Sequence, residues 1–250
     1  SDVCSSDLGV GSFSVNIEDL NANTMYYGRA YATNSIGTSY GNELTFFLYM
    51  GVPSQNVTDI DGNIYHSIKI GSQEWLKENL KTTRYNDGGS IPEVSDNNTW
   101  NNLLTPAYCW YSNDKTSYGN TYGGLYNWYA VNTNKLCPNG WKVPSIGDLA
   151  VLIDFLKGMD IAGAKLKEEG MSHWLSPNNG ATNESGFNAL PSGIRDGTFG
   201  SINESGFWWT SSGQTAGAWF LNLGSTSTLA YTHYWLPKSS GLSVRCLKDN

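Results

Sequence analysis

The side chains of this 250-residue sequence that could do chemistry are few and widely separated. Its cysteines stand at positions 4, 109, 137 and 246, without the close CxxC pairs that a zinc framework uses. His66, His173 and His233 show no HxH, HxxxH or HExxH spacing, so each reads as a surface or core residue rather than a metal ligand. Cys109, in "PAYCWYSND", has no base nominated for it by the sequence, and a nucleophilic thiol needs one. A buried, inert thiol is the expectation there. The carboxylates Glu168 and Glu169, and Asp148 and Asp154, fall on expected helices, where solvation and capping account for them better than a glycosidase dyad does. Asp59, Asp61 and Asn63 suggest a calcium loop, but an EF-hand places its glycine two positions beyond Gly62 and a glutamate six further on. Asp61-Gly62 therefore reads as a tight hairpin turn, and no catalytic residue is nominated.

Binding chemistry is better represented. The chain holds ten Trp and fifteen Tyr, and aromatic faces stack on sugar rings and dominate protein interfaces. Trp128, Trp141 and one of Trp208 and Trp209 are expected in the core, since strand neighbours point to opposite faces. Trp174, Tyr231, Tyr234 and Trp235 lie in loop-like sequence and are the candidate ligand-binding aromatics, with Arg195 and Asp196 as polar partners. Charged residues make up only 15% of the chain and the net charge is -7, which argues against nucleic acid as partner. An acidic polysaccharide or an anionic membrane surface is disfavoured on the same ground. No apolar run is long enough to span a bilayer, and the weakly charged, aromatic-rich composition suggests an exported protein.

These residues must be positioned by elements that the pattern partly reveals. The opening "SDVCSSDL" is what a short-read sequencing adapter encodes, so Ser1 to Leu8 are set aside and the N-terminus is expected to be truncated. Residues 9–50 hold two alternating runs, "TMYYGRAYATN" and "NELTFFLY", joined by "SIGTSYG", which predict a β-hairpin. The spacing from Leu20 to Tyr26 resembles the tyrosine corner of fibronectin type III-like sandwiches. Such a hairpin is expected to be the remnant of a truncated β-sandwich domain. "MGVPSQ", residues 50–55, reads as a linker, placing a domain boundary before residue 51. Residues 86–124 are expected to be long loops with short extended pieces.

A helix is predicted from Ile146, with Ser145 as N-cap, Asp148 completing a capping box, and Leu149, Leu152, Ile153 and Leu156 on one face. A second is expected over Ala162 to Glu169, and "FWWTSS", "AWFLNL" and "LSVRCLK" read as short strands. "NESGF" occurs at 183–187 and again at 203–207; it matches a glycosylation sequon but reads as turn chemistry, with a Gly for positive φ. The whole predicts an α+β domain over residues 51–250.

Residues 57–249 resemble the Fibrobacter succinogenes major paralogous domain, found in exported and surface proteins of Bacteroidota-like bacteria. The resemblance is carried, in order, by "DIDGNIYHSIKIGSQEWLKENLKTTRYNDG", "YGGLYNWYAV", "CPNGWKVPS", "AGAKLKE", "NESGFNALPSGIRDGTFG", "FWWTSS" and "LSVRCLKD". It implies a C-type-lectin-like scaffold with two helices, short antiparallel strands and long loops, shared with formylglycine-generating enzymes. It further implies a disulfide between Cys137 and Cys246, and hence an oxidising compartment. In the long-loop region of such a scaffold Asn183, Glu184, Asn188 and Asp196 are the side chains that could gather around calcium, although the lectin calcium tripeptides are missing. The function expected is a non-enzymatic cell-surface or secreted adhesion module that recognises a glycan or extracellular protein, with its export signal or lipid anchor upstream. The alternatives are an enzyme on the formylglycine-generating-like scaffold, or a structural spacer or pilus-tip component.

Overall fold

Alternation of apolar and polar residues draws the first two strands into an antiparallel pair, β1 (Thr24–Asn34) and β2 (Gly37–Leu48), in register from Thr24↔Leu48 to Asn34↔Gly37. The computed structural model describes residue 17, residues 24–48 and residues 51–249, and the chain divides into two compact units, residues 1–50 and residues 51–250. Within the first unit the connection is tighter than the expected "SIGTSYG". Only Ser35 and Ile36 lie outside the strands, because Asn34 Oδ1 accepts from the backbone N–H of both Ile36 and Gly37 and closes the turn by itself. Cross-strand rings brace the hairpin, Tyr26 on Phe46 at 5.6 Å and Tyr31 on Tyr40 at 5.9 Å. The tyrosine-corner spacing begins at Leu20, which lies outside the described residues, as do Ser1 to Leu8.

The second unit is a mixed α+β body. Its first sheet has the order β3-β4-β5-β14-β8, built from β3 (Gly51–Thr58), β4 (Ile64–Ile70) and β5 (Gln73–Leu76), with β8 (Trp141–Lys142) and β14 (Leu247–Lys248) brought in from far along the chain. Gly51 to Gln55 are thus strand, not the expected linker: Pro53 is accommodated because β3 is an edge strand whose register slips between Pro53 and Asn56. The Asp61-Gly62 turn joins β3 to β4 as expected.

The stretch expected as long loops with short extended pieces keeps both, and also winds into short helical turns. Helix α1 (Asn97–Asn101) is capped by Asp96, and a π turn, Lys115–Gly119, is capped by Asp114 and runs into α2 (Asn120–Tyr122). A two-stranded pair, β6 (Tyr108–Cys109) with β7 (Leu125–Tyr126), and α3 (Trp128–Val131) complete this region. Helix α4 (Ile146–Phe155) carries the expected capping box, Ser145 and Asp148 bonding each other's backbone N–H, and buries Leu149, Leu152 and Ile153. Helix α5 spans Met159–Leu166, three residues earlier than the sequence suggests, because Lys167 leaves the helical conformation (φ -66, ψ 144).

The second sheet, β10-β9-β11-β12-β13, comprises β9 (Ser192–Asp196), β10 (Thr198–Ile202), β11 (Ser205–Gly213), β12 (Ala218–Gly224) and β13 (Tyr231–Leu236). Both Trp208 and Trp209 are buried, correcting the expectation of one. Strand β11 is covered on both faces, so each indole N–H finds an acceptor inside: Asn79 Oδ1 for Trp208 and Tyr126 O for Trp209. "LSVRCLK" is strand only at Leu247–Lys248. Its upstream half makes isolated bridges, Leu242 with Tyr126 and Ser243 with Trp208, so it is a seam between elements rather than a ladder. The Cys137–Cys246 disulfide is formed, and packs with Trp128, Trp141 and Trp209 in the main core.

Candidate functional site

A cleft of about 280 Å³ opens where three loop segments of the second unit meet. The β3–β4 turn supplies Asp61 and Asn63, and the segment leaving β5 supplies Lys81 and Thr83. The region after β6 contributes Trp110 and the π turn that begins at Lys115, ending on Gly119 and Asn120. Trp110 is 2% exposed and forms the floor. Gly119 lies flat on it: a Cβ there would stand 2.8 Å from Trp110 Cε3, so any larger residue would push the π turn off the indole.

Charge is distributed unevenly across this cleft. Burial works to raise the Asp61 pKa, but hydrogen bonds from Thr83 N, Arg84, and the hydroxyls of Thr83 and Thr82 outweigh it and hold the group at about 2. Its oxygens are spent: Oδ1 takes Arg84 Nε at 2.6 Å, and Oδ2 takes Thr83 N at 2.5 Å and both hydroxyls. The two lysines are not spent. Lys115 Nζ sits 5.2 Å from the Trp110 ring and Lys81 Nζ 5.9 Å from the Tyr65 ring. Neither is ion-paired with a carboxylate among the described residues.

Of the expected binding residues, two belong to the interior. Trp174 is buried with its indole N–H on Ala189 O, which corrects its placement at the surface. Arg195 is fully buried, its guanidinium donating to Val94 O, Ser95 O and Asn97 Oδ1 between the rings of Trp100 and Phe199. That partnership makes it a clamp on the α1 entry and corrects its reading as a ligand contact. Asp196 is exposed and accepts from Ser240 Oγ. Tyr231 is exposed on edge strand β13, stacked on His233 at 4.8 Å. Tyr234 and Trp235 lie on the same strand, with side chains outside the described residues.

The calcium candidates are engaged elsewhere. Asn183 Nδ2 donates to Asn188 Oδ1, Asn183 Oδ1 accepts from Asn188 N, and Glu184 pairs with Lys165 at 2.9 Å. Among the described residues no group of three or more His, Cys, Asp or Glu side chains could hold a metal. Cys109 is a buried free thiol; burial pushes its pKa up to about 12 against the opposing pull of Arg195.

Residues 68–248 match the Fibrobacter succinogenes major domain. The chain belongs to this family. Comparison with curated proteins and with solved structures finds no match.

Several of the stretches that carry the family resemblance do structural work through buried cations. "AGAKLKE" supplies Lys167, whose ammonium donates to the carbonyls of Asn179, Gly224 and Ser227 at 2.8–3.0 Å under the Trp174 ring. Burial draws its pKa down to about 8 while the three acceptors favour the charged form. "LSVRCLKD" supplies Arg245, which bonds Asn79 Oδ1, Leu76 O and Phe187 O and stacks 4.4 Å from the Phe187 ring. Its pKa is likewise lowered, to about 9, by burial. With Arg195 from "SGIRDG", three buried cations hold this family member together through carbonyl oxygens. Sequence reasoning missed the cleft residues Lys81, Thr83, Lys115 and Asn120. Each stands in Asn- and Thr-rich loop sequence, and their convergence depends on contacts far apart in the chain.

Proposed function

We propose that the chain is a non-enzymatic binding module, exported to the cell surface or secreted, which recognises a glycan or an extracellular protein through the Asp61–Lys115 cleft. The observation that carries this reading is the cleft itself: polar side chains with unspent hydrogen-bonding capacity, Lys81 and Lys115 among them, gathered at one concavity. Ligand sites commonly take this form, a concavity with a few fixed polar groups. The disulfide supports an oxidising compartment, and no described helix is long and apolar enough to cross a membrane.

A C-type-lectin-like scaffold is supported by two consecutive helices beside antiparallel sheets, long loops, and a disulfide running from the helix entry to the closing strand. An enzyme of the formylglycine-generating kind draws no support from Cys109, whose thiol is enclosed and held protonated.

The test is the full chain on an array of glycans and extracellular matrix proteins, with and without a calcium chelator. Binding to at least one surface is expected, and its loss with chelator would reveal calcium dependence. A blank array under both conditions overturns the binding reading.

A further inference from the structure

We infer that the cleft takes one negatively charged sugar, a hexuronic acid unit carried by an otherwise neutral glycan. This deepens, and rests on, the binding-module reading. Three observations converge on it.

The first is the local charge. Lys81 and Lys115 flank the cleft with no carboxylate partner among the described residues, and the carboxylate that also lines it, Asp61, is neutralised by Arg84. The mouth therefore carries two uncompensated positive charges on a chain whose net charge is -7. Each ammonium lies over an aromatic ring, which orients it without using its hydrogen-bond donors.

The second is the balance of donors and acceptors. The ammonium groups offer donors for carboxylate oxygens, as charge-assisted bonds require. Asn63 Oδ1 accepts no hydrogen bond from the described residues, and Thr83 Oγ1 gives its proton to Asp61 and keeps its lone pairs. Those acceptors need O–H donors. An inorganic anion such as sulfate has none, whereas a sugar ring brings both its acid group and its hydroxyls.

The third is size and field. About 280 Å³ is at the small end of ligand sites and suits a single ring. The negative charge of the whole chain opposes a polyanion at long range, so the acid is expected singly within a neutral glycan rather than repeated along a polymer.

The experiment is calorimetric titration of the full chain with methyl β-D-glucuronide, methyl β-D-glucoside and inorganic sulfate. The glucuronide is expected to bind about tenfold or more tighter than either control, and to weaken as salt is raised. Lys81→Gln and Lys115→Gln should each lose about tenfold in glucuronide affinity with unchanged melting, while Lys81→Arg and Lys115→Arg retain binding. Equal affinity for the glucoside, equal affinity for sulfate, no glucuronide binding, or indifference to the Gln variants each overturns the inference. Array binding that survives the double Gln variant sinks the uronate assignment and leaves the binding module standing; a blank array sinks the binding module itself.

Discussion

The second unit uses positive charge in two opposite ways. Lys167, Arg195 and Arg245 are buried without a carboxylate, and most of their donors are committed to main-chain carbonyls and side-chain amides, Arg195 Nε being the exception without a partner. Lys81 and Lys115 stand at a cleft mouth with their donors uncommitted. A buried cation whose donors are used has become architecture: it stitches loops together that have no ladder of their own, much as a metal would. A lysine at the mouth of a concavity keeps its donors on water and can exchange them for the acceptors of a ligand. Residue type does not separate the two groups; saturation of donors does.

That contrast can be broken at the framework first. Replacing both Cys137 and Cys246 by Ser should cost about 4–5 kcal/mol, since the bond spans 109 residues of chain, and denaturant unfolding would register it. A much smaller loss would mean that the interior clamps alone hold the closing strand. Arg245→Met should come next. It leaves Leu76 O and Phe187 O without this donor and Asn79 Oδ1 with the Trp208 indole N–H alone, for about 3 kcal/mol by the same measurement. Were Arg245→Met neutral, buried cations would not be the framework.

Asp61 links the two regions. Its pKa in the fold, about 2, lies below the ordinary value near 3.9, so it contributes stability in full above about pH 4, and that contribution disappears as pH falls towards 2. Acid titration of Asp61→Asn should show a flatter stability loss over that window than the parent does. At the small end, Lys81→Gln and Lys115→Gln should change stability by less than about 0.5 kcal/mol, as substitutions away from packed or paired groups do. A large loss from either would move that lysine from the cleft into the framework.

Local pattern made part of this legible. The capping box at Ser145, the apolar face of α4 and the Asp61-Gly62 turn depend on neighbours within a few residues, and the sequence displays them. The disulfide was implied by the family resemblance rather than by spacing. Loop-like composition reports on the backbone and not on burial, which is why it puts Arg195 and Trp174 at the surface when both are buried. The partners of Arg195, Val94 and Ser95, are about a hundred positions away. The two "NESGF" copies show the same limit. Asn183 and Asn203 both take positive φ, as turn chemistry requires, but Gly186 is left-handed in a loop while Gly206 lies in β11 with Trp208 packed against it. Identical pentapeptides are set apart by what covers them.

The Cys137–Cys246 bond also decides how the second unit would carry a mechanical load. Tension applied at Gly51 and Asp249 runs along the chain to Cys137, crosses the bond to Cys246 and leaves through β14, so the intervening residues, including the helices α4 and α5 and the whole second sheet, are bypassed. While the bond is intact, roughly 370 Å of potential extension stays hidden from the pull. Only the segment upstream of Cys137 can be drawn out, and it includes the residues that line the cleft. A tether built this way would yield at its grip before it yields at its body.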